Sequence, residues 1–215
     1  MTMRGEAVLE DRAEQGHPGE ARIDAVDAGG FDQPAMRLDR YSTGGFDRGR
    51  PLWVELAWQA VQLLVLISPL SCNAMRCFAL RLFGARIGRG VTVKPGVRVK
   101  FPWRLQVEDH SWIGENAWLD NLAEIRIGNH CCISQAVYLC TGSHDWRKPG
   151  FDLIVKPIVL EDEVWLAARS VVAPGVVAGR GAVLGLGSVA TRRLLPYRIH
   201  QGVPAVPVKK RSRWQ

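Results

Sequence analysis

From Ile87 onward, aliphatic residues return every six positions along the chain. Ile87, Val93, Val99 and Leu105 open the series, and after a two-residue slip it continues at Val107, Ile113 and Leu119. A second slip follows Ile125, giving Ile127, Ile133 and Leu139; beyond an interruption come Leu160, Leu166, Val172, Ala178, Leu184 and Ala190. Four positions after most of these sits another small or medium residue, as at Val91, Val97, Ala117, Val137, Val164 and Ser188. A period of six fits neither an amphipathic helix nor a simple strand. It fits a mainly β, parallel solenoid of short strands joined by tight corners, three hexapeptides to a turn, with one aliphatic of each directed at the axis. Glycine directly follows the aliphatic at Gly88, Gly114, Gly128, Gly179 and Gly185, which predicts corners that use positive φ.

The pattern before the repeats is different. Residues 52–68 (LWVELAWQAVQLLVLIS) are the most apolar stretch, and seventeen residues is the lower limit for a bilayer span. Glu55, Gln59 and Gln62 fall on one narrow helical stripe, so the expectation is an amphipathic helix packed on the domain or on another subunit. Peripheral membrane contact through 52–68 and a true span are the rival readings. Pro69 ends this helix, and Met75 to Phe83 predicts another. Residues 1–40 lack periodicity and read as a disordered tail, followed by a helical segment at 41–86, the solenoid at 87–192 and a C-terminal extension at 193–215.

Charge divides along the same line. Residues 1–40 carry nine acidic side chains against five arginines, whereas the rest of the chain holds 12 acids and 23 Lys and Arg. A basic body predicts an anionic partner: cofactor phosphates, a phosphorylated lipid carrier, a membrane surface or nucleic acid. Nucleic acid is disfavoured, because neither a recognition helix nor a stacking platform is evident. Glycine motifs for nucleotide hydrolysis or dinucleotide chemistry are lacking. The five cysteines form no C-x-x-C pair and no zinc pattern, which reads as reduced, buried thiols of a cytoplasmic protein. The first fifty residues lack the apolar core of a secretory signal.

The repeat breaks between Leu139 and Leu160, twenty-one residues apart and not a multiple of six. A loop at 141–157 must leave the coil there, carrying Thr141, Gly142, Ser143, His144, Asp145 and Trp146. An irregular loop on a rigid scaffold is a natural place for function. Histidine is the side chain suited to taking a proton near neutral pH. Asp145 is placed to orient that imidazole or meet a substrate. Asp120 and Asn121, about one coil earlier, are placed to stack beneath the loop and bind an acceptor. Cys140 is a poor nucleophile candidate, since no second base accompanies it.

The segments RLFGARIG (81–88), NLAEIRIG (121–128), CTGSHDW (140–146) and GVPAVPVK (202–209), set on these repeats, resemble the hexapeptide-repeat acyltransferases. Within them the chain is most similar to the colanic acid biosynthesis acetyltransferase subgroup, from about Tyr41 to Lys210. The resemblance implies a left-handed parallel β-helix, where the general crossover rule would give the opposite hand. It implies acetyl-CoA as co-substrate, a hydroxyl of a sugar, exopolysaccharide precursor or lipid-linked saccharide as acceptor, and direct transfer with His144 as general base. VWLAARSVVAPGV (164–176) looks like the family's W-[IL]-G-x-x-x-x-[IV]-x-P-G-V motif. That places the pantetheine arm near Trp165 and an oxyanion-binding backbone N–H in the turn at Ala167 and Ala168. Glycine is commoner at the first of these and serine common at the second, so a side-chain hydroxyl donor is missing here. Leu186 and Thr191 match positions that line the coenzyme path. Arg192 and Arg193, with Lys209, Lys210 and Arg211, are placed for its phosphates. The resemblance also implies a homotrimer in which His144 faces the Trp165 region of the next subunit, no metal, and work in the cytoplasm, extending to the inner face of the membrane. A non-catalytic scaffold, an acetyltransferase for a non-sugar hydroxyl and a zinc enzyme using His110, His130 and His144 are the alternatives.

Overall fold

The computed structural model describes residues 36–212. The acidic stretch read as a tail lies outside the described residues up to position 35. Its last residues do not: Leu38–Arg40 form a 3₁₀ turn, and the Arg37 N–H donates to the Pro149 carbonyl across the chain.

Two helices, α1 (Leu52–Val61, extended by a π-type turn at Gln62–Leu66) and α2 (Asn73–Leu82), precede the solenoid. The coil then winds through three parallel sheets, each built from two- or three-residue strands stacked one coil above another. Ile87, Val107, Ile127, Leu160 and Ala178 stand in register on the inner face of the first sheet. Val93, Ile113, Ile133, Leu166 and Leu184 do so in the second, and Val99, Leu119, Leu139, Val172 and Ala190 in the third. These are the hexad residues of the sequence, and nearly all are fully buried, each stabilising by about 1.5–3 kcal/mol for the larger aliphatics. The slips have a simple geometric origin. Early coils are 20 residues long, as in Ile87 to Val107, whereas later ones are 18, as in Leu160 to Ala178. The two extra residues sit at the corner from the third sheet back to the first, where Leu105, Ile125 and Ile158 add a second inward side chain to the strand.

The glycine expectation needs correcting. Gly88 and Gly114 do not have positive φ; a Cβ on them would lie 2.5 Å from Asp109 and 2.6 Å from the Ser134 backbone of the next coil. They let coils approach. The left-handed corner positions are instead taken by residues such as Gly96, His110, His130 and Arg169.

The helical segment packs on the first coil, as expected, and does so partly through a polar side chain. Gln62 faces inward, with its side-chain carbonyl accepting the Val99 N–H at 2.6 Å, while Trp58 Nε1 donates to the Val99 carbonyl at 2.7 Å. Asn73 in α2 does the same for the second sheet, accepting from Val93 N–H at 2.7 Å and donating to the Val91 carbonyl at 3.0 Å. Arg81 donates to the Ile87 and Gly88 carbonyls. The first coil presents unpaired strand edges, and these polar side chains satisfy them. Of the polar stripe only Gln62 is buried, between Trp58 and Leu66, while Gln59 stays exposed and other apolar residues of the helix face outward. Among the described residues no helix is long and apolar enough to cross a membrane.

At the far end the coil continues past residue 192. Arg198–Gly202 pairs in parallel on Val183–Leu184, and Ala205–Lys210 returns antiparallel beside it. His200 occupies the inward position after Leu184.

Candidate active site

The loop after Leu139 is a β-hairpin, Gly142–His144 against Leu153–Val155, with His144 opposite Leu153. His144 Nδ1 lies 3.0 Å from the Phe151 carbonyl oxygen. A carbonyl only accepts, so Nδ1 carries a proton, and in the neutral ring the lone pair is on Nε2. The imidazole stacks on the Phe151 ring at 4.3 Å and 7°, and Tyr41 meets it edge-on at 5.5 Å. Phe151 holds φ +49°, an uncommon backbone for an aromatic residue. Phe151 and Tyr41 were not singled out in the sequence. Nothing in composition or spacing marks a phenylalanine that works through its carbonyl, or a tyrosine a hundred residues away.

Asp145 does not orient the imidazole. Its carboxylate is bound by Arg147, at 2.9 Å from Nε, and this partner holds its pKa below the ordinary carboxylate value. Asn121 is likewise corrected as an acceptor-binding residue. It is fully buried, its Oδ1 accepting the Phe101 N–H at 2.9 Å and its Nδ2 donating to the Phe101 carbonyl at 2.7 Å. Asn121 is a rung between coils, buried out of a sugar's reach. Asp120 is different. It sits opposite Cys140, under the hairpin, and accepts from the Tyr138 hydroxyl through Oδ2 at 3.1 Å. Its Oδ1 has no hydrogen-bond partner among the described residues, with Lys100 Nζ 3.6 Å away. Burial, then Cys140 and Asp120, push the Tyr138 pKa up, which keeps that hydroxyl a donor.

Trp165 stands outward on the second sheet, half exposed, its Nε1 donating to Ser134 Oγ at 3.0 Å. The turn that follows separates the two alanines. The Ala167 N–H is spent on the Leu184 carbonyl at 2.9 Å, so it cannot meet an oxyanion. The Ala168 N–H has no hydrogen-bond acceptor among the described residues, while its carbonyl accepts from Gly187 N–H at 3.0 Å. Leu186 projects beside it, largely exposed. Thr191 and Arg192 are exposed on a different corner, and Arg193 lies 4.0 Å from Glu161. Arg211 donates through Nη1 to the carbonyls of Glu163 and Gly181, which ties its guanidinium to the coil. Cys131 is buried, which pushes its thiol up to about 11 and leaves it unreactive.

The coil has three edges, and the candidates divide among them. Asp120, Asn121, the His144 hairpin, Thr191 and Arg192 lie on the edge between the third and first sheets; Ala167, Ala168 and Leu186 lie between the second and third. His110 and His130 stack on each other at 5.3 Å on the remaining edge, apart from His144.

A three-sheeted hexapeptide coil from which a histidine-bearing hairpin leaves defines a hexapeptide-repeat acyltransferase. No family-wide sequence model matches the chain. An Escherichia coli protein provisionally named colanic acid biosynthesis acetyltransferase WcaF is 41% identical over 167 residues, 78% of this chain and 92% of that protein. The galactoside O-acetyltransferase of the same organism is 27% identical over 59% of this chain and 64% of its own length. A hexapeptide-repeat acetyltransferase from Vibrio cholerae, crystallised with acetyl-CoA, superposes with a TM-score of 0.72 at 25% identity, covering 81% of this chain and 97% of that one. The chain belongs to the colanic acid biosynthesis acetyltransferase family, with the left-handed β-helix of the hexapeptide-repeat acetyltransferases.

Proposed function

We propose that the protein transfers an acetyl group from acetyl-CoA to a hydroxyl of a sugar or exopolysaccharide precursor, with His144 as general base. The observation that carries this reading is the Nδ1–H bond to the Phe151 carbonyl, which leaves Nε2 as the proton acceptor. The hydroxyl oxygen attacks the thioester carbonyl as its proton passes to Nε2. The tetrahedral oxyanion then collapses, the C–S bond breaks, and the proton is returned to the departing thiolate. The Ala168 N–H is the donor for the oxyanion, because it is the one in the turn left unpaired. Trp165 and Leu186 flank the pantetheine arm, and Thr191 and Arg192 lie toward the nucleotide, where the guanidinium meets phosphate. Asp120, beneath the hairpin and ion-paired with Lys100 at 3.6 Å, is the carboxylate on the acceptor side of the centre.

A homotrimer is part of this proposal. His144 and Ala168 lie on different edges of one coil, so one reaction centre is completed when the His144 edge of one subunit meets the Ala168 edge of the next. The cytoplasm, with its soluble acetyl-CoA, is the compartment we propose. The test is thiol release from acetyl-CoA with a panel of sugars and lipid-linked oligosaccharides. Acceptor-dependent release that falls about 10²–10⁴-fold in His144→Ala, with acetyl-CoA binding kept, is expected. Near-normal turnover in that variant removes His144 from the mechanism, and a wild-type protein that binds no acetyl-CoA removes the enzyme reading.

A further inference from the structure

Two helices expose apolar residues on the face turned away from the coil as well as burying others against it. On α1 and its π-type extension, Trp58, Gln62 and Leu66 are buried against the first coil, while Trp53, Leu56, Leu63 and Leu64 are each more than 60% exposed. On α2, Arg76, Cys77 and Leu80 are buried while Phe78 and Leu82 are 65% and 68% exposed. The outward residues recur at helical spacing, so each helix shows a continuous apolar stripe. Apolar faces of this extent on a soluble chain mark an interaction site.

The charge around this face says what covers it. The first coil, on which both helices pack, carries Arg86, Arg89, Lys94, Arg98, Lys100 and Arg104 between positions 85 and 104, and no acidic residue. Arg89 and Lys100 pair with acids of the next coil, at Asp109 and Asp120, whereas Arg86, Lys94 and Arg98 are exposed with no acidic partner among the described residues. Arg50 lies two residues before α1, and Arg86 follows α2 by a short turn. Together with Trp103, Arg104 and one acid, Glu124, they line an open groove of about 480 Å³ where the first helix begins and the second ends. Glu55 is the single acid on either helix, and its carboxylate is shielded by Arg48 at 2.6 Å. A second copy brought face to face would set these cations against one another. A surface of lipid chains beneath anionic headgroups satisfies both the apolar stripes and the cations.

We infer that α1 and α2 form an interfacial anchor that lies on an anionic phospholipid surface, the apolar stripes entering the acyl boundary and Arg50, Arg86, Lys94 and Arg98 meeting headgroup phosphates. The anchor goes beyond the acetyl-transfer reading and does not rest on it. It also sets a height: the His144 hairpin leaves the third coil, about 10 Å above the first at the usual spacing of stacked strands.

The test is co-flotation of the full chain with vesicles of phosphatidylcholine alone and of phosphatidylcholine with phosphatidylglycerol, at low and high salt. Flotation with the anionic vesicles that weakens with salt is expected. Arg86→Ala and Lys94→Ala should each weaken it about fivefold, the effect of roughly 1 kcal/mol per cation. Leu63→Glu/Leu64→Glu should abolish it while leaving acetyl-CoA binding intact. To separate binding from folding, quenching of tryptophan fluorescence by brominated lipid is measured as well, and should be smaller in Trp53→Phe than in wild type. Failure of the wild-type chain to float with anionic vesicles overturns the proposal. So does a Leu63→Glu/Leu64→Glu protein that floats undiminished, or one that instead splits a larger assembly of the wild type, which would assign the face to a second copy.

Discussion

The imidazole of His144 and the backbone carbonyl of Phe151 form a single unit, joined by a 3.0 Å hydrogen bond and by ring stacking at 4.3 Å. A carboxylate in that place would stabilise the imidazolium; a carbonyl fixes tautomer and direction with less charge. The predicted consequence is separable. Phe151→Gly keeps the carbonyl, suits the positive φ and removes the ring. Turnover should fall no more than about tenfold, the scale of one aromatic contact, with the KM for acetyl-CoA unchanged. A loss as large as that of His144→Ala, measured under the same conditions, would mean that the ring and not the carbonyl holds the base.

Ala168 permits an unusually clean deletion of one hydrogen-bond donor. The turn Ala167–Ser170 has Arg169 at φ +57°, and the equivalent corner of the first coil is Lys94-Pro95-Gly96-Val97, with Gly96 at φ +78°. Proline is thus already accommodated at the matching position. Ala168→Pro should leave the melting temperature close to wild type and lower turnover by about 10²–10³-fold, the effect of removing an oxyanion donor. An active, stable Ala168→Pro protein would place the oxyanion elsewhere.

Asn121 gives a stability prediction. Asn121→Ala strands two buried Phe101 backbone groups, each costing about 1–3 kcal/mol. Chemical denaturation should show that loss while the KM for acceptor stays unchanged. A raised acceptor KM at normal stability would restore the substrate role.

His200 fills a ladder position where other coils place valine, isoleucine or leucine, and it is 2% exposed. Nε2 accepts the Leu195 N–H at 3.1 Å, while Nδ1 has no partner among the described residues. Burial lowers its pKa from the ordinary histidine value. The unfolded chain therefore binds the proton more readily than the folded one. The stability contributed by the neutral ring is complete above the unfolded value, about 6.5, and is lost as pH falls through the lower folded value. The melting temperature should drop on acidification through this window, and His200→Gln should flatten that part of the profile.

The solenoid was legible because its rule is local: one aliphatic every six residues directs one side chain to the axis, and Ile87, Val107 and Ile127 stack wherever the corners have equal length. The hairpin that carries His144 was legible because a broken period marks where chain leaves a coil. What stayed hidden depends on partners far along the chain. Gln62 reads as solvent-facing until the open edge at Val99 claims it, and Asn121 reads as a ligand until the Phe101 backbone claims it. The glycines after each aliphatic were identified correctly as special, but the cause was the neighbouring coil and not φ.

The division of His144 and Ala168 between two edges of the coil leads to a test that needs no structure of the assembly. His144→Ala lacks the base but keeps the corner, and Ala168→Pro lacks the oxyanion donor but keeps the base. If each centre is shared between neighbouring subunits of a closed ring, refolding the two inactive proteins together creates some centres with both groups intact. With equal amounts mixed at random, a centre takes its base from an Ala168→Pro subunit half the time and its corner from a His144→Ala subunit half the time, so about a quarter of wild-type activity should return. A centre contained in one subunit would return none. Acetyl transfer before and after co-refolding, with each variant refolded alone as the control, therefore decides whether the enzyme works between its chains or within them.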